Sequence, residues 1–362
     1  MVLEEFMRKF KKRMLLFLII ISVALLGIKG KTLLPYKAET LFQTKTNQEI
    51  TAMGILKGGV LATFDGDRLV FYDKQQRKKV VDRLGEGQKA FFGESDAMLY
   101  DKDVDKVAVF GEDGKEKQSY HLDGDLFNAC VQNDTRIFHC RYDDGEKLFV
   151  ASDGGSLSEV FQTKNYILDY RFDSRKSFVV TELSNAANGY KTTVYRQSGK
   201  ADPGAMESAE FPMEVAMRIV MGKYPVVLTE KHLYGLDKEM ITEKTPILSD
   251  VAMYNNRLYS LHSGLLSVYD GKLREKKHYL MEANVDRLAV MKEGLFAYGN
   301  REILSRPTSA APYHIRFDDN QEKLILKDGY VAAYEHKHLA FYRLKPHLSL
   351  SKNKIQELKH AE

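Results

Sequence analysis

The stretch Ile50 to Leu84, ITAMGILKGGVLATFDGDRLVFYDKQQRKKVVDRL, sets the pattern that the rest of the chain repeats. Three turn signals, Lys57-Gly58-Gly59, Asp65-Gly66-Asp67 and Lys74-Gln75-Gln76, cut it into four apolar-rich runs of strand length. Alternation is clearest in Leu69-Val70-Phe71-Tyr72 and its flanks. Four short antiparallel strands joined by tight turns form one blade of a β-propeller.

The third strand is the easiest part of the unit to follow: an apolar run ending near an aromatic, then a turn often containing Gly. Eight copies align, at Leu69–Tyr72, Val107–Phe110, Leu148–Ala151, Thr192–Tyr195, Leu233–Leu236, Leu266–Tyr269, Ile303–Arg306 and Leu339–Tyr342. Their first residues are 38, 41, 44, 41, 33, 37 and 36 apart, which is blade spacing and too uneven for an ankyrin-like or tetratricopeptide array. Helical periodicity of any length is missing between Gln48 and Leu344. The expectation is an all-β, seven- or eight-bladed propeller, with eight favoured and seven resulting if the weak seventh unit is a long loop. The eighth unit has three clear runs before Pro346 interrupts, so it lacks an outer strand. The orphan run Ala38 to Thr46, AETLFQTKT, can supply it and fasten the last blade to the first, hiding sheet edges that an open array exposes. The competing assignment takes His347 to Leu350 as that strand and leaves Ala38 to Thr46 a linker.

Residues 1–31 differ in kind. Arg8, Lys9, Lys11, Lys12 and Arg13 precede the uninterrupted run Met14 to Ile28, MLLFLIIISVALLGI, and Leu33-Leu34 extend its apolar character. This predicts a basic cytoplasmic stub (1–13), a transmembrane signal anchor (14–34), an extracytoplasmic propeller (35–346) and a short charged tail (347–362) read as a surface helix or disordered. The alternative is a cleaved signal peptide, although its clearest small-x-small site, Ser22-Val23-Ala24, falls inside the apolar run. By the positive-inside rule the amino terminus is cytoplasmic and the rest of the chain outside. The net charge of +4 belongs to this segment: seven of the 54 Lys and Arg but two of the 50 Asp and Glu lie in residues 1–31. The remainder is about neutral, so the basic balance is a topology signal and gives no support to a nucleic-acid partner.

The unit D-G-x-x-L-x-x-Y-D, here Asp65-Gly66-Asp67-Arg68-Leu69-Val70-Phe71-Tyr72-Asp73, resembles the repeat of quinoprotein-like (PQQ-like) propellers. The whole layout resembles a family of uncharacterised bacterial proteins with one amino-terminal membrane span and one such propeller. That resemblance covers nearly the full length and implies a fold and a location. For a quinoprotein dehydrogenase it would imply a quinone held against a flat aromatic, usually Trp, beside an adjacent cysteine pair, with calcium on Glu, Asn and Asp. The chain has no Trp, and its two cysteines are not adjacent, so no cofactor is expected.

Cys130 and Cys140 fall in the first two strands of the third unit. A hairpin centred near Thr135 would set them opposite, at a spacing compatible with a cross-strand disulfide; the alternative is two buried thiols packing as small apolar side chains. Asp101, Asp103, Asp105 and Glu112 occupy positions 1, 3, 5 and 12 of a calcium-loop pattern, but Lys106 replaces the sharp-turn Gly, and the segment reads as a solvated hairpin turn. His336 and His338 read as exposed turn residues, and no metal site is expected. No G-x-S-x-G, P-loop or H-E-x-x-H motif occurs. The expected role is a non-enzymatic binding or assembly platform at the cell membrane, with an envelope protein or wall polymer as partner. The alternatives are a divergent propeller enzyme, whose carboxylates would converge from separate blades, and a small-ligand sensor.

Overall fold

A computed structural model describes residues 36–82, 88–152, 155–199, 206–237, 239–281, 284–309, 312–347 and 355–358. The basic stub and the anchor predicted at 1–13 and 14–34 lie outside the described residues, and among those described no helix is long and apolar enough to cross a membrane. The described chain folds into eight sheets of four antiparallel strands, one of which gains a fifth. All eight third-strand signatures fall in the third strand of a sheet, and the seventh unit is a true blade.

The inner strands are Ala52–Leu56, Lys89–Phe92, Asp125–Gln132, Tyr166–Ser174, Ala216–Met221, Asp250–Tyr254, Arg287–Met291 and Lys323–Lys327, for blades 1 to 8 in chain order. Each packs beside the inner strands of both neighbours, and the last packs beside the first, so the ring is closed. Eight hydrophobic clusters lie one between each consecutive pair of blades. Because the middle strands meet a neighbouring blade on both faces, they read as near-continuous apolar runs, such as Val60–Phe64 and Pro225–Thr229. Outer strands such as Lys78–Val81 and Glu275–Leu280 have a free face and carry the charge runs of the sequence. Close approach of blades 1 and 2 requires Gly54, where a Cβ would stand 2.3 Å from that of Phe92.

Ring closure uses the amino-terminal strand. Tyr36–Lys45 runs antiparallel to His338–Pro346 as the outer strand of blade 8, with a bulge between Thr40 and Phe42. The strand observed begins two residues before the predicted Ala38. Phe42 carries the closure inward: its ring lies 5.6 Å from that of Phe341 in blade 8 and 5.6 Å from that of Tyr72 in blade 1. The tail departs from the sequence reading. Ile355–Leu358 forms a fifth strand, parallel to the outer strand Tyr313–Phe317 of blade 7, because that edge offers unpaired backbone groups. Gln356 then clasps the closing strand, accepting from Ala38 N (2.9 Å) and donating to Ala38 O (2.6 Å).

Candidate functional site

The propeller has two loop faces. At the entry face lie the connections between blades and the turns from second to third strands; at the exit face lie the turns that leave the inner strands. The apolar side chains left exposed are unevenly shared between them. Val104, Phe127, Tyr166, Met213, Met217, Ile247 and Leu280, from 44% to 77% exposed, all sit in entry-face loops or at strand ends beside them. Taken around the ring they fall one or two to a blade, in a crescent over blades 2 to 6. On blades 2 and 3 it is bordered by the exposed Asp103, Asp123, Asp143 and Asp144, while Asp125 is paired with Lys102 at 3.1 Å.

Buried carboxylates fix the entry-face loops of blades 3 to 5. Glu146, in the third strand of blade 3, accepts from Arg141 Nε (2.7 Å) and from the Ile167 backbone N–H of blade 4 (2.7 Å), and lies 2.9 Å from His139 Nε2. This pins the chain directly after Tyr166. Burial pulls His139 below the ordinary imidazole range, outweighing the opposite pull of Glu146. Arg141 in turn stacks its guanidinium on Phe127, 3.6 Å from the ring centre, and so holds that ring in place while 46% of it stays exposed. Glu182 accepts from Thr163 Oγ1 (2.5 Å), Asn165 Nδ2 (3.2 Å) and Tyr195 OH (2.9 Å). Glu214, next to Met213, accepts from Thr229 Oγ1 (2.5 Å) and Tyr234 OH (3.0 Å) and lies 2.9 Å from His232 Nδ1. These loops are therefore held in place by the fold itself, which lowers the entropy cost of an interface.

A second feature is the central channel. Toward the exit face it opens into a cavity of about 440 Å³, lined from the inner strands of blades 3 to 7. Two side chains clip neighbouring blades there. Asp169 in blade 4 accepts from its neighbour Tyr170 N (2.8 Å) and from Ile219 N of blade 5 (2.6 Å). Asp250 in blade 6 accepts from Val251 N (2.8 Å) and from Leu288 N of blade 7 (2.7 Å). Inner strands do not pair with one another, so these carboxylates satisfy backbone donors that would otherwise face the channel bare.

The residues singled out in the sequence are not brought together. Asn133 and Asp134, both at positive φ, form the turn between the first two strands of blade 3, which pairs Gln132 with Thr135. The hairpin is centred before Thr135, and Cys130 therefore faces Ile137. Cys140 lies three residues further on, an odd step that places it on the other side of the sheet. Cys130 packs against blade 4, beside Tyr170, whereas Cys140 packs in the cluster shared with blade 2; both are free thiols. The expected opposition of the pair is thus corrected by register. Asp101 and Asp105 close the turn between strands Asp96–Asp101 and Lys106–Gly111, and Glu112 follows the far end of the second of these. No group of three or more metal-ligating side chains occurs among the described residues. His336 and Lys337 form a tight turn with positive φ, and His336 Nδ1 lies 3.1 Å from Glu322.

Fold and site define a closed eight-bladed β-propeller whose entry-face loops on blades 3 to 5 are held by buried carboxylates. Comparison with solved structures finds a similar fold in BamB from Moraxella catarrhalis, with a TM-score of 0.58 at 9% identity over 85% of this chain and 100% of that one. A eukaryotic initiation factor is similar at a TM-score of 0.51 and 10% identity, over 84% of this chain and 90% of that one. The BBS1N chain crystallised in complex with ARL6DN gives a TM-score of 0.49 at 11% identity, over 88% and 100%. At these identities the likeness is one of fold. No protein-family model and no curated protein matches the sequence.

Proposed function

We propose that this chain is a non-catalytic docking platform, tethered at the cell membrane by residues 14–34 with its propeller outside, in the manner of the membrane-anchored PQQ-like proteins its repeats resemble. The observation that carries the platform reading is the set of seven apolar side chains exposed on one loop face, with the loops around Phe127, Tyr166 and Met213 held by buried carboxylates. Large exposed apolar patches on a folded protein mark interaction surfaces, and rigid aromatic anchors such as Phe127 and Tyr166 are typical of their energetic centres. The acidic border on blades 2 and 3 selects the partner: an envelope protein whose docking segment presents apolar side chains flanked by Lys or Arg. An anionic wall polymer would meet the acidic border with like charge.

The tether is supported by the basic residues preceding an uninterrupted apolar run. The test is affinity capture from the protein's own cells, followed by a binding titration of the captured partner against the triple variant Phe127→Asp, Tyr166→Asp, Ile247→Asp. Loss of about a hundredfold or more in affinity is expected, since each truncated interface anchor is worth about 1–2 kcal/mol or more. Unchanged affinity would reject the entry face as the platform.

A further inference from the structure

The channel holds two arginines whose hydrogen-bonding capacity the fold does not use up. Arg171, in the inner strand of blade 4, contacts Asp169 Oδ1 (3.2 Å) and Tyr170 O (2.9 Å). Arg218, in the inner strand of blade 5, contacts Asp250 and Val251 O (3.5 Å). All four contacts are made by Nη1 atoms. Among the described residues, the Nε–H and the two Nη2–H groups of each guanidinium have no protein acceptor, and both side chains line the cavity, at 33% and 41% exposed. The carboxylates opposite them engage each arginine through Nη1 alone, and each is also turned to the wall by two backbone N–H donors. The two guanidinium groups are close enough to act on each other: burial, and next the charge of Arg171, draw Arg218 below the ordinary guanidinium range.

Beside these donors the wall changes character. Met221, Ala252, Met253 and Val290 line the same cavity, and Val290 keeps 45% of its surface exposed there. A volume of about 440 Å³ is within the range of small-molecule sites. We infer that the exit-face end of the channel binds a small organic monocarboxylate, its carboxylate forked by the free edges of Arg171 and Arg218 and its apolar body laid on Met221, Met253 and Val290. The planar fork suits a carboxylate. With two arginines balanced by two aspartates, a carboxylate adds one uncompensated negative charge and a phosphate monoester nearly two, which favours the carboxylate. The site lies at the opposite mouth from the docking crescent, so the two readings stand or fall separately.

The test uses the full-length purified chain in detergent, with a blank titration into protein-free detergent. Four probes are compared by calorimetry: hexanoate, acetate, hexan-1-ol and hexyl phosphate. Saturable binding of hexanoate is expected, with each of the other three at least about tenfold weaker, because each lacks either the apolar body or the monoanionic head. Arg171→Gln and Arg218→Gln should each weaken hexanoate about tenfold or more. Val290→Glu, at a half-exposed position that tolerates a charge, places a competing carboxylate on the apolar wall and should do the same; it carries the test if an arginine variant fails to fold. The proposal is overturned if hexanoate shows no saturable binding, if hexan-1-ol matches it, if hexyl phosphate binds more tightly, or if the folded variants bind as the parent does.

Discussion

Replacing Phe42 with Ala tests how the ring is fastened. Phe42 is the closing strand's main inward anchor: it is 6% exposed, stacks on Tyr72 at 28° between ring planes, and meets Phe341 at 48°. It belongs to the cluster that joins blade 8 to blade 1, with Ile55, Leu61, Tyr334 and Leu339. Deleting the ring removes its burial and leaves a cavity that surrounding rings on three strands cannot fill, a loss of about 3–5 kcal/mol for Phe→Ala in a core. The main chain of Tyr36–Lys45 remains paired to His338–Pro346, so the effect is loss of side-chain packing at the seam, and it appears as easier opening of that seam. At 1.4 kcal/mol per tenfold, native-state hydrogen exchange of amides in these two strands should accelerate by roughly two to three and a half orders of magnitude. Tyr166→Ala, at a side chain 66% exposed, serves as the control and should change the same amides by less than about threefold. Acceleration of less than tenfold in Phe42→Ala would refute the claim that this ring fastens the propeller.

Three further outcomes follow from the same contacts. Asp250→Ala strips the acceptor from Val251 N and Leu288 N and the counter-ion from Arg218; urea unfolding should show a loss of about 1–3 kcal/mol, with Asp250→Asn losing less because one acceptor oxygen remains. Burial lowers the His139 pKa in the folded state, so the unfolded chain binds more protons once the pH drops below the ordinary imidazole value of about 6.5. Stability present above that value should therefore be lost as the pH falls toward the lowered folded value, and unfolding free energies measured between about pH 5 and 8 should have a shallower slope in His139→Gln. With Cys130 and Cys140 on opposite sides of one sheet, thiol titration of the chain unfolded without reductant should count both sulfurs; burial pushes the Cys140 thiol up to about 12, so in the native protein it should resist alkylation. A titration finding no free thiol would establish a disulfide instead.

Much of the architecture was legible because its signals are local. A third strand buried between two blades is rich in apolar residues in all eight units, and the turn after it carries a residue at positive φ in blades 1, 2, 3, 6 and 7, at Gln76, Gly114, Gly155, Leu273 and Arg306. Closure by the amino-terminal strand was legible from a missing partner in the last unit. The cysteine register was not, because shifting the hairpin centre from Thr135 to between Asn133 and Asp134 moves Cys140 to the other face, and the run N-D-T offers both turns. The tail was misread since its charged sequence carries no strand pattern; the edge of blade 7 imposes one. The crescent left no linear signal at all. Phe127, Tyr166, Met217 and Ile247 are isolated apolar residues at strand ends, unremarkable singly, and only the ring lays successive entry loops side by side. Arg171 and Arg218 are likewise neighbours only through the packing of two inner strands. A signal that could have been used was the acidic residue interrupting an otherwise apolar strand, as at Glu182 after Phe178-Val179-Val180, since a carboxylate buried there must be satisfied by nearby donors.

The most direct test of the platform is site-specific photo-crosslinking in the protein's own cells, with a photoreactive side chain placed in turn at Phe127, Tyr166, Ile247 and Leu280 on the entry face, and at Lys74 and Lys272 on the exit face. The account predicts that one and the same envelope protein is joined from several entry-face positions and from neither exit-face position, and that Tyr166→Asp in the same chain suppresses the adduct made from Ile247. Equal labelling from both faces, or an adduct confined to the exit face, would contradict it.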